Sequence, residues 1–338
     1  MPLYIWEKQL PNNHKGLLTK QQKYKGKVKN LSGIRFYPPL IDKIVLRWEY
    51  PDEYHHGLMK DAVSQMLSGN SPFTQGIPIK TYKLCVSTKI SGEPVLINSK
   101  PEGIRLEFNP AKLNIVGVTK LAQLILQYLF LGDVDLYETF LTQAIMKRID
   151  LAYDVGNLSM MQLGHEVTTK PQKQVWISKT TGTGETYYYG KRKADRQLVI
   201  YDKLSKEAKS CSILSPNSLN AFYKQSHSAV ARIEYREHES GTFSNHILHK
   251  HLNRLKLYNA DVYHSHLEKE PEQERLAVWL LFLHTHRTIA LSIVPKAKIK
   301  AYQRAITLSL ITAWTPEKYL TESLHTQVIA PLRSVIEG

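Results

Sequence analysis

Met146–Val155 reads MKRIDLAYDV, and its polar and apolar side chains alternate with a period of two. That period belongs to a strand, whose successive side chains point to opposite faces. Arg148, Asp150, Ala152 and Asp154 then share one face, and Ile149, Leu151 and Tyr153 the other. Working outward, the same alternation recurs in Lys173–Lys179, Glu185–Gly190 (ETYYYG), Gln197–Lys203 (QLVIYDK) and Ala229–His238 (AVARIEYREH). Gly190–Arg196 (GKRKADR) joins two of these as a hairpin loop. Upstream, Pro38-Pro39 breaks the chain, and Ile41–Tyr50, Tyr82–Ile90 and Ile104–Asn109 read as strands, the last stopped by Pro110. Gly57–Ser68 and Thr119–Leu131 carry helical spacing, with Thr119 as the N-cap of the second and Gly132 as its stop. From Glu270 onward the pattern is helical, in Arg275–Leu283, Lys296–Ala313 and Pro316–Thr326. A run of strands with helices before and after predicts an α+β fold, an antiparallel sheet flanked by helices, rather than a doubly wound parallel sheet. The expected organisation is a basic arm over 1–36, an α+β domain over 37–262 and a helical region over 263–338.

Composition narrows the partners. The 338 residues carry 45 Lys and Arg against 30 Asp and Glu, a formal net charge of +15, and 42% are hydrophobic. That is a globular composition with room for a large core, and its charge makes a polyanion the first partner to consider. Met1–Phe36 holds eight Lys/Arg against the single acid Glu7, which reads as a flexible basic arm. Between Lys170 and Lys209, ten Lys/Arg face four acids among many aromatics. Alternating cations and rings suit single-stranded nucleic acid, which offers phosphates and base faces together. No apolar run approaches the roughly 20 residues that span a bilayer, and the start Met1-Pro2-Leu3 does not read as a secretory signal. Two cysteines, Cys85 and Cys211, cannot build a zinc cluster. The expectation is a cytoplasmic protein without a membrane partner.

Three strands carry the candidate chemistry. Asp150 and Asp154, separated on one face by the small Ala152, leave room for a hard divalent cation. In Arg232–His238 (RIEYREH), Glu234 offers a third carboxylate on the face shared by Arg232 and Arg236. The competing reading of these charges is a ladder of salt bridges. In Gln197–Lys203, Tyr201 and Lys203 project together. A phenol titrates near pKa ~10 and needs a cation to favour its phenolate, which the lysine two positions along could supply. Tyr187, Tyr188 and Tyr189 are further stacking or nucleophile candidates. His249-Lys250-His251, His264-Ser265-His266 and His284-Thr285-His286 have the one-residue spacing of a metal pair but no apolar middle residue.

Taken in order, Arg148–Asp154 (RIDLAYD), Glu185–Lys193 (ETYYYGKRK), Gln197–Lys203 with Glu207 (QLVIYDKLSKE) and Ala231–Arg236 (ARIEYR) resemble the replication initiation factor family of rolling-circle plasmids and phages and its tyrosine relaxase relatives. The resemblance covers roughly Ile41 to Tyr258 and implies a fold similar to the HUH endonucleases, although no His-hydrophobic-His strand is present. It implies an enzyme that nicks one strand of origin DNA, forms a 5′-phosphotyrosyl bond and leaves a 3′-OH primer. Tyr201 would be the nucleophile, with Tyr188 and Tyr189 as alternatives in the same block and Lys203 assisting. Asp150, Asp154 and Glu234 would hold Mg²⁺ or Mn²⁺. Arg148, Lys191, Arg192, Lys193, Arg196, Arg232 and Arg236 would contact DNA. The implied partners are single-stranded or cruciform origin DNA, a host helicase with the replication machinery, and a second copy of the chain. A conjugative relaxase with the same chemistry and a non-catalytic DNA-binding regulator are the competing readings. A tyrosine recombinase is a more distant one, suggested by His284-x-x-Arg287 with Tyr319 following 32 positions later.

Overall fold

The computed structural model describes residues 34–37, 39–68, 70–79, 81–167, 173–177, 184–189, 196–204, 227, 229–238, 241, 255–312 and 323–336. Residues 1–33, Lys191, Arg192, Lys193, His249–His251 and Tyr319 lie outside these, as does the side chain of Arg196.

The chain begins with β1 (Arg35–Phe36) and β2 (Leu40–Glu49), then α1 (Glu53–Gln65), whose first turn is capped by the Asp52 carboxylate. β3 (Thr74–Gln75), β4 (Leu84–Ile90), β5 (Glu93–Lys100) and β6 (Gly103–Phe108) form a meander. Next comes α2 (Pro110–Leu124), continued by one π-helical turn, Ile125–Leu129, and then α3 (Val134–Gln143). β7 (Ile145–Gly156), β8 (Leu163–Val167), β9 (Lys173–Ile177), β10 (Gly184–Tyr189), β11 (Arg196–Asp202), β12 (Val230–His238) and β13 (Leu255–Asn259) follow. The chain closes with α4 (Ala260–Ser265), α5 (Glu272–His284), α6 (Arg287–Ser292), α7 (Ile299–Leu308), the π turn His325–Ile329 and α8 (Ala330–Arg333).

Among the described residues the main sheet has eleven strands in the order β3-β4-β5-β6-β2-β7-β12-β11-β10-β9, with β1 added against β7. Its pairings are antiparallel throughout, so the fold is α+β with helices flanking one large antiparallel sheet. The core lies on one face of the sheet. Ile41, Ile44, Leu46 and Trp48 of β2 and Ile149, Leu151, Tyr153 and Val155 of β7 are buried against Leu113, Val118 and Leu121 of α2 and Tyr137 and Phe140 of α3. Each such side chain contributes about 1.5–3 kcal/mol through removal from water. Leu324, Val328 and Leu332 from the C-terminus join the same core. β8 and β13 make a separate two-stranded sheet whose Tyr258 packs with Trp279 and Phe282 of α5 and Tyr302 of α7 in a second core.

Several expectations shift by a physical cause. The helix expected to begin at Thr119 starts earlier. Asn109 caps the turn at Pro110, and Asn114, at φ +57°, breaks the helix and recaps it through Gly117 N–H at 3.1 Å. Gly132 does end that segment, at φ +82° and directly after Leu131 at φ +53°. Arg35 and Phe36, expected in the basic arm, pair with Gly156 and Val155 of β7. Around the expected boundary near residue 262, β13 runs straight into α4, the second core draws on Tyr258 to Ile306, and Leu324, Val328 and Leu332 join the main core.

Candidate functional site

The face of the sheet opposite the core carries the polar side chains. Register explains the grouping: Arg232 of β12 stands opposite Asp154 of β7 and Tyr201 of β11, and Arg236 stands opposite Asp150 and Gln197. One strand further, Thr186 of β10 faces Tyr201 and Tyr188 faces Val199. Arg148, Asp150, Asp154, Arg232, Glu234, Arg236, Tyr201 and Tyr188 therefore share one face across four adjacent strands.

The charged groups are buried and paired. Asp150, Asp154 and Glu234 are 3%, 1% and 3% exposed. Arg232 grips Asp154 with both ends of its fork, Nε to Oδ1 at 2.6 Å and Nη2 to Oδ2 at 2.8 Å, and donates Nη1 to Asp42 Oδ2 at 3.4 Å. Arg148 holds Asp150 the same way, at 2.7 and 2.6 Å. Arg236 donates Nε to Glu234 Oε1 at 2.6 Å and Nη1 to Gln197 Oε1 at 3.3 Å. Bidentate charge-assisted bonds of this kind are the strong ones. Burial pushes the Asp150 carboxyl above its ordinary range even though Arg148 opposes the shift.

This is the salt-bridge reading of the charges. The carboxylates expected to hold Mg²⁺ or Mn²⁺ each face a guanidinium instead. Among the described residues no group of three or more His, Cys, Asp and Glu is arranged to hold a metal ion. The donor set therefore does not fit a divalent cation, because a cation would have to displace an arginine from each carboxylate.

The tyrosines separate clearly. Tyr201 lies on the expected face but is only 5% exposed. Burial pushes its phenol well above the ordinary value; Arg232 opposes this, while Glu234, Asp42 and Asp154 add to it. Lys203, expected to activate that phenol, is buried and directs its ammonium to Asp154 Oδ2 at 3.9 Å. Tyr189 is excluded as a nucleophile of this face. It points to the opposite side, 1% exposed, where its hydroxyl meets His165 Nδ1 at 2.7 Å and donates to the His165 carbonyl at 3.0 Å. Tyr187 is buried beside it, its ring 4.4 Å from that of His165. Tyr188 alone of the three stands on the face of the arginines, and it is half-buried.

Two contributors escaped the sequence pattern. The β2–β7 register shifts between Ile41 and Lys43, a bulge that turns two consecutive residues toward the polar face. Asp42 thus reaches Arg232, and Lys43 pairs with Glu107. Gln197 was read only as part of its strand. The histidine pairs are elsewhere: His264 and His266 end α4, while His284 and His286 flank the break between α5 and α6. Arg287, expected in the recombinase reading, pairs with buried Glu166 at 3.4 Å and donates to Tyr258 Oη at 2.6 Å, which makes it part of the second core's polar lining.

No family model matches the chain, and no curated protein matches it. Among solved structures it is similar to a rolling circle replication initiator protein from Geobacillus stearothermophilus, at 13% identity over 87% of this chain and 97% of that chain, with a TM-score of 0.36. At that score the likeness carries no weight for the chemistry of the face. No single helix is long and apolar enough to cross a membrane among the described residues.

Proposed function

We propose that this protein cuts one strand of DNA by tyrosine attack and so initiates rolling-circle replication. The observation that carries the reading is the shared face of β10, β11, β12 and β7, on which a half-buried phenol, Tyr188, lies together with Arg148, Arg232 and Arg236. In this reading the phenol oxygen bonds to phosphorus, the P–O3′ bond breaks, and a 5′-phosphotyrosyl bond and a free 3′-OH result. Guanidinium groups stabilise the added charge on the phosphoryl oxygens. The ester keeps the phosphodiester energy for rejoining the strand. The basic excess of the chain favours DNA as the substrate. Because the carboxylates are held by arginines, no step here passes through a divalent ion.

The test is a covalent one. Full-length protein is incubated with end-labelled single-stranded DNA, with Mn²⁺ and without it, and SDS-resistant adducts are mapped to a peptide. The expected adduct carries the 5′ side of the break on Tyr188, disappears from that peptide in Tyr188→Phe, and persists in Tyr189→Phe. An adduct on Tyr201 instead would move the nucleophile one strand along and keep the function. The closed Arg148–Asp150, Arg232–Asp154 and Arg236–Glu234 pairs favour one second reading, a DNA-binding regulator that does not cut. Salt-sensitive binding with no adduct on any DNA would establish it.

A further inference from the structure

At the end of β7, Tyr37, His227 and Asn157 meet. β1 pairs Arg35 with Gly156 and Phe36 with Val155, and the Tyr37 amide donates to the Asp154 carbonyl at 3.0 Å. Phe36 packs on the core, so Arg35 and Tyr37 stand on the face that carries Asp154. The Asn157 Oδ1 can only accept, so its 2.9 Å contact with His227 Nδ1 places the imidazole proton on Nδ1. Nε2 is then the acceptor, and the Tyr37 hydroxyl donates to it. Gly156 makes room for the ring: a Cβ there would come within 2.7 Å of His227 Nε2. Asn157 holds φ +61°, and its amide is tied to the Ala229 carbonyl at 2.9 Å, which fixes the group that orients the imidazole. The guanidinium of exposed Arg35 neighbours the Tyr37 hydroxyl.

A hydroxyl, a base able to take its proton, and a third group that holds the base are what turn a weak oxygen nucleophile into an effective one. Resting on the strand-cutting reading, we infer that Tyr37 is a second phosphodiester-attacking residue on this face, with His227 as its base, Asn157 as a positioning residue and Arg35 as the contact to phosphate. The Tyr37 Oη bonds to phosphorus while its proton passes to His227 Nε2. The P–O3′ bond breaks, and the departing 3′ oxygen takes that proton from the imidazolium, which returns the imidazole to its neutral form.

The experiment reads the phenol in two ways on the full-length chain. A small aryl sulfonyl fluoride is used as the probe of activated tyrosines, with labelling located by peptide mass spectrometry. Tyr37 is expected to label at least tenfold faster than Tyr54, a far more exposed tyrosine without this base. The rate should fall to the Tyr54 level in His227→Gln and in Gly156→Ala. In Asn157→Gly, which keeps the positive φ and removes the amide, it should drop several-fold, each variant being checked for a native circular dichroism spectrum. In parallel, the Tyr188→Phe/Tyr201→Phe double variant should still yield a DNA adduct, now on the Tyr37 peptide. Labelling of Tyr37 no faster than Tyr54, or unchanged in His227→Gln, overturns the inference while adducts on Tyr188 or Tyr201 leave the cutting reading standing. Selective labelling with adducts only on those other tyrosines overturns the phosphodiester assignment. Selective, His227-dependent labelling with no DNA adduct anywhere upholds the activated pair and overturns the cutting reading.

Discussion

Arg232 shows what the polar face costs. Its guanidinium, 4% exposed, is held by Asp154 and Asp42. Removing one member of such a buried pair leaves a charge without compensation, which costs about 3–5 kcal/mol, whereas replacing both members with apolar groups is far cheaper. Asp154→Ala is therefore expected to lower the urea midpoint strongly, and the double variant Asp154→Ala/Arg232→Met to recover part of the loss, because Asp154 also faces buried Lys203 and Arg232 also faces Asp42. Equal losses in the single and double variants would show that packing, not charge, dominates there. Glu107 tests the sign of a neighbouring interaction. Burial raises its carboxyl, but Lys43 and Arg105 together outweigh burial and hold it below its ordinary value. A depressed folded pKa contributes stability above the unfolded value of about 4.3 and loses it as the pH falls through the folded one. Glu107→Gln should then cost on the order of 1 kcal/mol at pH 7, and the gap to the parent should close as the pH falls below about 4. A gap that widens on acidification would reverse the assignment.

At the scale of elements, Asn114 is the most exposed to test. It breaks α2 at φ +57° and ψ 179°, a region in which only glycine is comfortable, and its side chain accepts from Gly117 N–H. Asn114→Ala loses the cap while the strain stays as it was, so it should destabilise by about 0.5–2 kcal/mol. Asn114→Gly loses the cap but relieves the strain and should cost only a few tenths of that scale; a thermal melt of both variants separates the two effects. This break is also why the sequence misplaced the helix start. Thr119 has the right chemistry for a cap, and nothing in the apolar spacing shows that Asn114 had already taken the role. The long strands were legible because β7, β11 and β12 alternate cleanly. β5 was missed because EPVLINSK interrupts its alternation with Pro94 and three adjacent apolar residues. The parity of each strand was readable, so Asp150 with Asp154 and Arg232 with Arg236 were placed on shared faces. The pairing between strands was not, since register depends on loop geometry and bulges. That register decides that Tyr188, rather than Tyr189, stands with Tyr201, and that Asp42 reaches Arg232. Nor does residue spacing distinguish carboxylates waiting for a cation from carboxylates already held by arginine.

For the whole molecule, the question is where the positive charge that would bind DNA resides. The face of the sheet is largely neutralised within itself, because Arg148, Arg232 and Arg236 each hold a carboxylate. The excess of +15 must then lie mostly elsewhere. Met1–Gly33 contributes Lys8, Lys15, Lys20, Lys23, Lys25, Lys27 and Lys29 against Glu7. If those seven lysines contact phosphates, each releases counterions and adds about 0.7 to the slope of log K against log salt for single-stranded DNA. Replacing all seven with Gln should therefore flatten the slope by up to about 5 and weaken binding similarly for every sequence. Arg148→Gln, by contrast, removes a cation already spent on Asp150 and should leave the slope nearly unchanged, while reducing adduct formation if that guanidinium meets phosphate during attack. Fluorescence anisotropy at several salt concentrations measures both. An unchanged slope in the seven-lysine variant, with a flattened one in Arg148→Gln, would place the binding charge on the face itself, and the ion pairs would then have to open whenever DNA arrives.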